Sequence, residues 1–182
     1  MIVEIFRFFF GIFIYWFVFF ITTLVHETGH MVGYMLATRK MTERNDDWII
    51  QTGVGKKILR IKRLQIHVVP APGRFTTMSQ TQSFAKGHQL IIYAGGPVFS
   101  LLTILAFCVL QVLVPKDATT NSEFYSSLII AMRNLNIYMF LITMIPIRYP
   151  SYMGLGESAM SDGMRILQLF QKKGKRKEDN PL

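Results

Sequence analysis

The sequence predicts an all-α membrane protein with three transmembrane helices and a small cytoplasmic β-sheet or loop insertion between the first two. Of its 182 residues, 51% are hydrophobic. They concentrate in three segments of about 20 residues or more, the length at which a helix crosses a bilayer. A chain this apolar is not disordered. Its net charge of +9 does not indicate a nucleic-acid partner, because nucleic-acid-binding domains do not carry runs such as FFFGIFIYWFVFF.

The three predicted spans cover residues 5–38, 89–114 and 125–147. Aromatic side chains crowd the start of the first span, where they suit contact with lipid. Gly29 and Gly33 stand four residues apart, a spacing that lets a second or third helix approach closely. Residues 148–171 complete the predicted core of residues 1–171, and residues 172–182 form a basic tail that we expect to be disordered.

The basic residues predict the orientation of the chain. Half of the 20 Lys and Arg side chains lie in residues 39–88, and most of the others lie in residues 165–182. The positive-inside rule places both blocks in the cytoplasm and therefore the N-terminus outside, which three crossings satisfy. The first apolar run is too long for a cleaved signal peptide and is better described as a signal anchor.

The basic loop 39–88 contains a pattern typical of strands. Its segment KILRIKRLQIHV alternates apolar and polar residues and is bounded by turn-forming residues, so it predicts one or two strands. A small sheet on the cytoplasmic membrane surface, with its Lys and Arg side chains attracted to anionic lipid, is one interpretation. A solvated charged loop is the other.

A zinc-binding motif stands at the end of the first span, where His26, Glu27 and His30 form HExxH. Histidines at positions i and i+4 share one face of a helix, so both can reach one metal ion. The intervening Glu can act as the general base of a hydrolase. The alternative is that these residues simply extend to the membrane interface. Ionisable residues within a span are nevertheless functional candidates by default.

Zinc hydrolases use a third protein ligand, for which four residues are candidates. Asp162 is favoured over His67, His88 and Glu157 because it opens an amphipathic stretch after the third span. The glycine that follows it would permit close approach to the first helix. The alternative is that Asp162 only caps a helix.

Together these motifs resemble the site-2 protease family of intramembrane zinc metalloproteases. That family has HExxH in the first core helix, a Gly-Pro motif in the second and an Asp-Gly motif near the third. The corresponding residues here are the HExxH at 26–30, Gly96 and Pro97, and Asp162 with Gly163. The three motifs occur in the family's order and span nearly the whole chain.

The resemblance implies Zn²⁺ held by His26, His30 and Asp162, with Glu27 as the general base that activates the attacking water. It implies hydrolysis of membrane-embedded protein or peptide substrates near the cytoplasmic side of the bilayer. Small members of this kind are typical of a bacterial cell membrane. No appended substrate-binding domain of the PDZ type fits in this length. The oligomeric state is not implied.

Two positions depart from the family pattern. Ser100 stands three residues after Pro97, where the family usually has Asn, and Thr143 stands where the third-helix motif usually begins with Asn. The family's amides assist substrate or oxyanion binding, so Ser100, Thr143, Gly96 and Pro97 are the predicted assisting residues. A hydroxyl can still donate a hydrogen bond.

These departures leave other functions open. One alternative is a catalytically silent relative that binds or sequesters membrane peptides, as an immunity or chaperone-like protein would. Another is a subunit of a metal-dependent transporter, although three spans are few for a translocation path.

Overall fold

The computed structural model describes residues 2–39, 48–69, 73–77, 84–113, 120–150 and 159–178. The described chain is mostly helical, with a small sheet between the first two helices, as predicted. The helices are α1 (Ile2–Ala37), α2 (Lys86–Leu113), α3 (Thr120–Met144) and α4 (Asp162–Glu178). The strands are β1 (Trp48–Thr52), β2 (Val54–Ile61), β3 (Leu64–Val69) and β4 (Arg74–Thr77).

Within the described residues, three helices are long and apolar enough to cross a membrane: α1, α2 and the Phe124–Met144 part of α3. Only 17% of each apolar window is buried inside the protein. Large apolar side chains therefore face outward along the helices, Ile2 on α1 and Val112 on α2 among them, at 80% and 84% exposure. Water would oppose such a surface, whereas lipid would accommodate it.

Glycines allow α1 and α2 to pack closely. A Cβ atom at Gly29 would collide with the carbonyl group of Gly95, and one at Gly33 would lie 2.6 Å from the carbonyl oxygen of Ile91. The close approach predicted from the Gly29–Gly33 spacing is therefore confirmed, and the approaching helix is α2. The contact fixes α2 beside the HExxH turn of α1.

The four strands form one sheet in the order β2-β3-β1-β4. The segment predicted to contain one or two strands forms β3 and most of β2, which pair antiparallel through a turn at Lys62. Strand β1 is parallel to β3 and antiparallel to β4. Strand β4 is thus an edge of the sheet.

The sheet lies alongside α1 and contacts it near both ends. At one end, the Phe75 ring of β4 packs 5.8 Å from the Tyr34 ring near the end of α1. At the other end, Trp16 Nε1 donates a 2.7 Å hydrogen bond to the Val68 carbonyl oxygen of β3. Trp16 lies in the middle of the apolar part of α1. The indole N–H needs a partner when surrounded by apolar groups, which explains why the sheet is held at this level.

The start of α4 is anchored to the end of α3. A Cβ atom at Gly163 would collide with the Met144 carbonyl oxygen, so only glycine allows this approach. The expectation that Gly163 lets the chain approach the first helix is therefore wrong, because the neighbouring backbone belongs to α3. An isolated bridge between Arg148 and Met160 draws the two flanking segments together.

The basic C-terminal segment is helical over part of its length. Helix α4 continues to Glu178, into the segment that we expect to be disordered from residue 172. The Lys, Arg and Glu residues of this segment are good helix formers and can extend a helix that is nucleated and anchored upstream. Residues 179–182 lie outside the described part of the chain.

Candidate metal centre

Three side chains from two distant parts of the sequence converge at one point. His26 and His30 lie one turn apart on α1, and Asp162 is the first residue of α4. The Asp162 Oδ2 atom is 3.1 Å from His26 Nε2 and 3.3 Å from His30 Nε2. Each of the three offers one ligand atom, and these atoms lie within 4.8 Å of one another. The group could hold a metal ion.

The spacing of these atoms suits a tetrahedral ion. Zinc ligands at about 2.0–2.1 Å from the metal, arranged at tetrahedral angles, are separated by about 3.3 Å. The two distances to Asp162 Oδ2, 3.1 and 3.3 Å, agree with that separation. Two imidazoles and one carboxylate are also a donor set that zinc accepts.

Gly96 on α2 leaves room for such an ion. A Cβ atom there would lie 2.6 Å from His26 Nε2 and would collide with His30 Nε2. Any other residue at this position would therefore fill the space toward which both imidazoles point. This is a structural reason for a glycine at position 96 in addition to close helix packing.

The other nitrogen of each imidazole is held by α2. His30 Nδ1 lies 2.8 Å from the Ile92 carbonyl oxygen, which can only accept, so Nδ1 donates there and Nε2 is the nitrogen that faces Asp162. His26 Nδ1 lies 3.0 Å from Ser100 Oγ. Such partners fix the tautomer and orientation of metal-binding histidines. The structure thus places Ser100 against an imidazole, where it can orient His26.

Ser161 positions Asp162. The Ser161 hydroxyl donates to the Ile145 carbonyl oxygen at 2.6 Å and accepts from the Met164 N–H at 3.1 Å. The second bond caps α4, a function that the alternative interpretation gave to Asp162. Because Ser161 caps the helix, the Asp162 carboxylate is free to face the histidines.

Asp162 is held in its charged form. Burial alone opposes ionisation, but the imidazoles of His30 and His26 lower the pKa of this carboxyl well below its usual range. The carboxylate is the form that binds a metal.

Glu27 lies beside the metal-binding group and faces strand β4. Its side chain is buried, and its carboxylate accepts a hydrogen bond from the Phe75 backbone N–H. A Cβ atom at Gly73 would lie 2.6 Å from Glu27 Oε1, so the chain passes very close to this carboxylate. Sequence reasoning missed Gly73 and Phe75. No local pattern links a strand residue to a Glu that is nearly fifty residues upstream.

A cavity of about 500 Å³ opens onto these groups. Its polar lining includes His26, Glu27, His30 and Asp162, with Tyr149 and Arg165 among the residues that sequence reasoning did not select. Burial, together with the nearby Asp162 carboxylate, raises the pKa of Tyr149 to about 12. Apolar side chains of α1, α2 and α3 also line the cavity.

Of the four predicted assisting residues, one lines the cavity and three do not. Thr143 lines the cavity, and its hydroxyl donates to the Met139 carbonyl oxygen at 2.9 Å. Ser100, Gly96 and Pro97 are buried within α2 and are not among the residues that line the cavity.

Of the remaining third-ligand candidates, the two that the structure describes are not in the metal-binding group. His67 Nδ1 lies 3.0 Å from the Gly55 carbonyl oxygen within the sheet. His88 lies in the first turn of α2, apart from the group formed by the two histidines and Asp162. Glu157 lies outside the described residues.

No protein-family model, no curated protein and no solved structure matches this chain.

Proposed function

We propose that this chain is an intramembrane zinc endopeptidase of the site-2 protease type. In this proposal it hydrolyses peptide bonds of membrane-embedded proteins or peptides. His26, His30 and Asp162 hold Zn²⁺, and Glu27 is the general base.

One observation carries the proposal. The two histidines and Asp162 have ligand spacing, and the buried Glu27 carboxylate opens onto the same cavity. A structural cluster of His and Asp would need no adjacent cavity and no additional carboxylate. A metal-assisted hydrolase needs both, because substrate and water must reach the metal beside a base.

In the proposed reaction, the metal, Glu27 and the residues that orient the imidazoles have separate functions. Zinc, when bound, supplies a Lewis acid that polarises the scissile carbonyl and acidifies water. Glu27 accepts the proton of the attacking water and delivers it to the leaving amine. The Phe75 N–H holds the Glu27 carboxylate in place for both transfers. Ser100 and the Ile92 carbonyl oxygen orient the imidazoles.

We place the site in a multi-pass protein with the N-terminus outside the cell membrane and the C-terminus in the cytoplasm. The support is the concentration of Lys and Arg in residues 39–88 and 165–182. The HExxH turn follows the most apolar part of α1, so the cavity would open toward the cytoplasmic side. A polar cavity at that depth is tolerated where protein surrounds it.

The test compares the wild type with Glu27→Gln in proteoliposomes loaded with zinc and a pooled library of synthetic single-span peptides. Products are identified and counted by mass spectrometry. The wild type is expected to cleave a subset of peptides, and Glu27→Gln is expected to lose this activity by at least about a hundredfold. Bound zinc, measured by elemental analysis, should be one per chain in both proteins.

Glu4→Gln is the matched control, because it makes the same change on an exposed turn of the same helix. It should cleave like the wild type. Equal cleavage by the wild type and Glu27→Gln, or no Glu27-dependent cleavage of any peptide in the library, would contradict the proposal.

A catalytically silent protein that binds membrane peptides is the second candidate. The observation that favours it is the internal bonding of Thr143 and Ser100. The Thr143 hydroxyl donates to a helix carbonyl, and Ser100 lies against an imidazole, so neither replaces a free amide in the cavity. The same library distinguishes the two functions. A silent protein would retain peptides equally well in the wild type and Glu27→Gln, without products in either case.

A further inference from the structure

Peptide hydrolysis places a negative charge on the former carbonyl oxygen, and a hydrogen-bond donor that faces this oxygen would stabilise the charge together with the metal. The attacking water forms a C–O bond as the carbonyl π electrons move to oxygen, and Glu27 takes the water proton. When the C–N bond breaks, the electrons return to the carbonyl and Glu27 gives its proton to the amine. The donor keeps its own proton throughout. The identification of this donor rests on the proposed function.

Several polar groups around the cavity cannot serve. The Thr143 hydroxyl donates to the Met139 carbonyl oxygen, and the Ser161 hydroxyl donates to the Ile145 carbonyl oxygen. The Nδ1 atoms of the two histidines face α2. Each of these donors already has an internal acceptor.

The two arginines of the lining lie toward the outside. Arg74 and Arg165 are exposed, whereas Glu27 and Asp162 are buried. The Arg165 guanidinium lies 5.4 Å from the centroid of the Tyr93 ring, a cation–π contact that holds it over α2. These positions suit contacts at the mouth of the cavity better than contacts with the reacting carbonyl.

Among the remaining donors, Thr76 and Thr77 belong to strand β4, and Tyr149 is the one of three tyrosines that is attached to the Asp162 segment. Its backbone N–H donates to the Ala159 carbonyl oxygen at 2.9 Å, and the Ser161 N–H donates to the Ile147 carbonyl oxygen at 3.1 Å. These bonds form a short antiparallel pairing that ends at Asp162. Tyr149 is therefore held beside the metal centre by backbone geometry.

Tyr149, Asp162 and Glu27 line the same cavity. The scissile carbonyl would lie in this cavity, between the candidate base and the candidate ligands. Within the described part of the chain, its hydroxyl has no hydrogen-bond partner.

We propose that the Tyr149 hydroxyl is the catalytic donor that stabilises the oxyanion formed from the scissile carbonyl. Tyr149 would provide the oxyanion contact that the sequence predicts for Ser100 or Thr143. A phenol has a longer reach than either hydroxyl.

The experiment compares Tyr149→Phe with Tyr93→Phe and Tyr138→Phe, which remove the same hydroxyl from other residues of the cavity lining. Each zinc-loaded full-length variant is assayed in proteoliposomes with the library peptide that the wild type cleaves fastest. Binding of that peptide's phosphinic analogue, which mimics the oxyanion, is measured separately.

Tyr149→Phe is expected to keep one zinc per chain and an unchanged KM. Its kcat is expected to fall about 10²- to 10³-fold, the usual effect of losing one oxyanion donor. Affinity for the phosphinic analogue should fall in parallel. The two control variants should remain within a few fold of the wild type.

A kcat for Tyr149→Phe within threefold of the wild type would overturn the proposal, as would an equal loss in Tyr93→Phe or Tyr138→Phe. Loss of bound zinc in Tyr149→Phe would show a structural function and would also overturn it. Glu27→Gln separates this result from the proposed function. If Glu27→Gln is inactive while Tyr149→Phe is fully active, only the Tyr149 assignment fails. If Glu27→Gln cleaves like the wild type, both fail.

Discussion

Gly96 of α2 faces His30 of α1 so closely that a Cβ atom at position 96 would collide with the His30 Nε2 atom. It would also lie 2.6 Å from His26 Nε2. The absence of a side chain on α2 therefore creates the space in which α1 can bind a metal.

This relationship predicts that Gly96→Ala loses bound zinc while the helices remain folded. The added methyl group would lie against both Nε2 atoms and take the space that a bound ion would need, so we expect at least about a hundredfold weaker zinc binding, measured by competition with a chelator. Gly87→Ala is the matched control, since it lies on the same helix and its Cβ atom would meet nothing within 4 Å. Wild-type zinc affinity in Gly96→Ala would contradict the assigned location of the ion.

Substitution of Ser100 is expected to weaken zinc binding without preventing it. Because its Oγ atom lies 3.0 Å from His26 Nδ1, Ser100→Ala should leave the imidazole without its orienting partner. We expect zinc affinity to fall about 10- to 100-fold, as for other partners of metal-binding histidines, with near-normal kcat when zinc is saturating.

The control for Ser100→Ala is Thr103→Ala, which removes a hydroxyl that bonds only to the Phe99 carbonyl oxygen within α2. The opposite result, unchanged zinc affinity with a reduced kcat at saturating zinc, would show that Ser100 contacts substrate, as the sequence suggests.

Ser161 caps α4 and is followed directly by Asp162, the candidate metal ligand. Ser161→Ala removes the bond to the Met164 N–H and the bond to the Ile145 carbonyl oxygen. Loss of a helix cap costs about 1 kcal/mol, and Asp162 is the next residue, so we expect roughly tenfold weaker zinc binding. Ser127→Ala, on an exposed position of α3, should bind zinc normally. Zinc titration of the two variants decides whether the cap positions Asp162.

The features that the sequence predicted correctly are those encoded over short distances. HExxH places two histidines on one face because i and i+4 always share a face of a helix. The spacing of Gly29 and Gly33 predicted a close helix contact for a similarly local reason. Apolar runs predicted the three long helices, and alternation predicted strands β2 and β3.

The features that sequence reasoning missed depend on contacts between distant segments. The bond from Phe75 to Glu27 exists because β4 is the sheet edge beside α1, which no local pattern encodes. Gly163 was assigned to the wrong neighbour because a glycine indicates a close approach without indicating which backbone approaches. One of the contacts that position the sheet along α1 is a bond of Trp16, whose aromatic surroundings in the sequence suggested only lipid contact.

The raised pKa of Tyr149 predicts how the effect of removing its hydroxyl depends on pH. Burial shifts the pKa from its ordinary 10.0 to about 12, so the phenol is protonated at neutral pH and begins to lose its proton only as the pH approaches 12. A donor that stays protonated contributes equally over the working range. Tyr149→Phe should therefore reduce kcat by the same factor at about pH 6 and about pH 9, measured against Tyr138→Phe. A loss that disappears at the higher pH would indicate that Tyr149 ionises in that range and acts as an acid or base, which the proposed donor function does not allow.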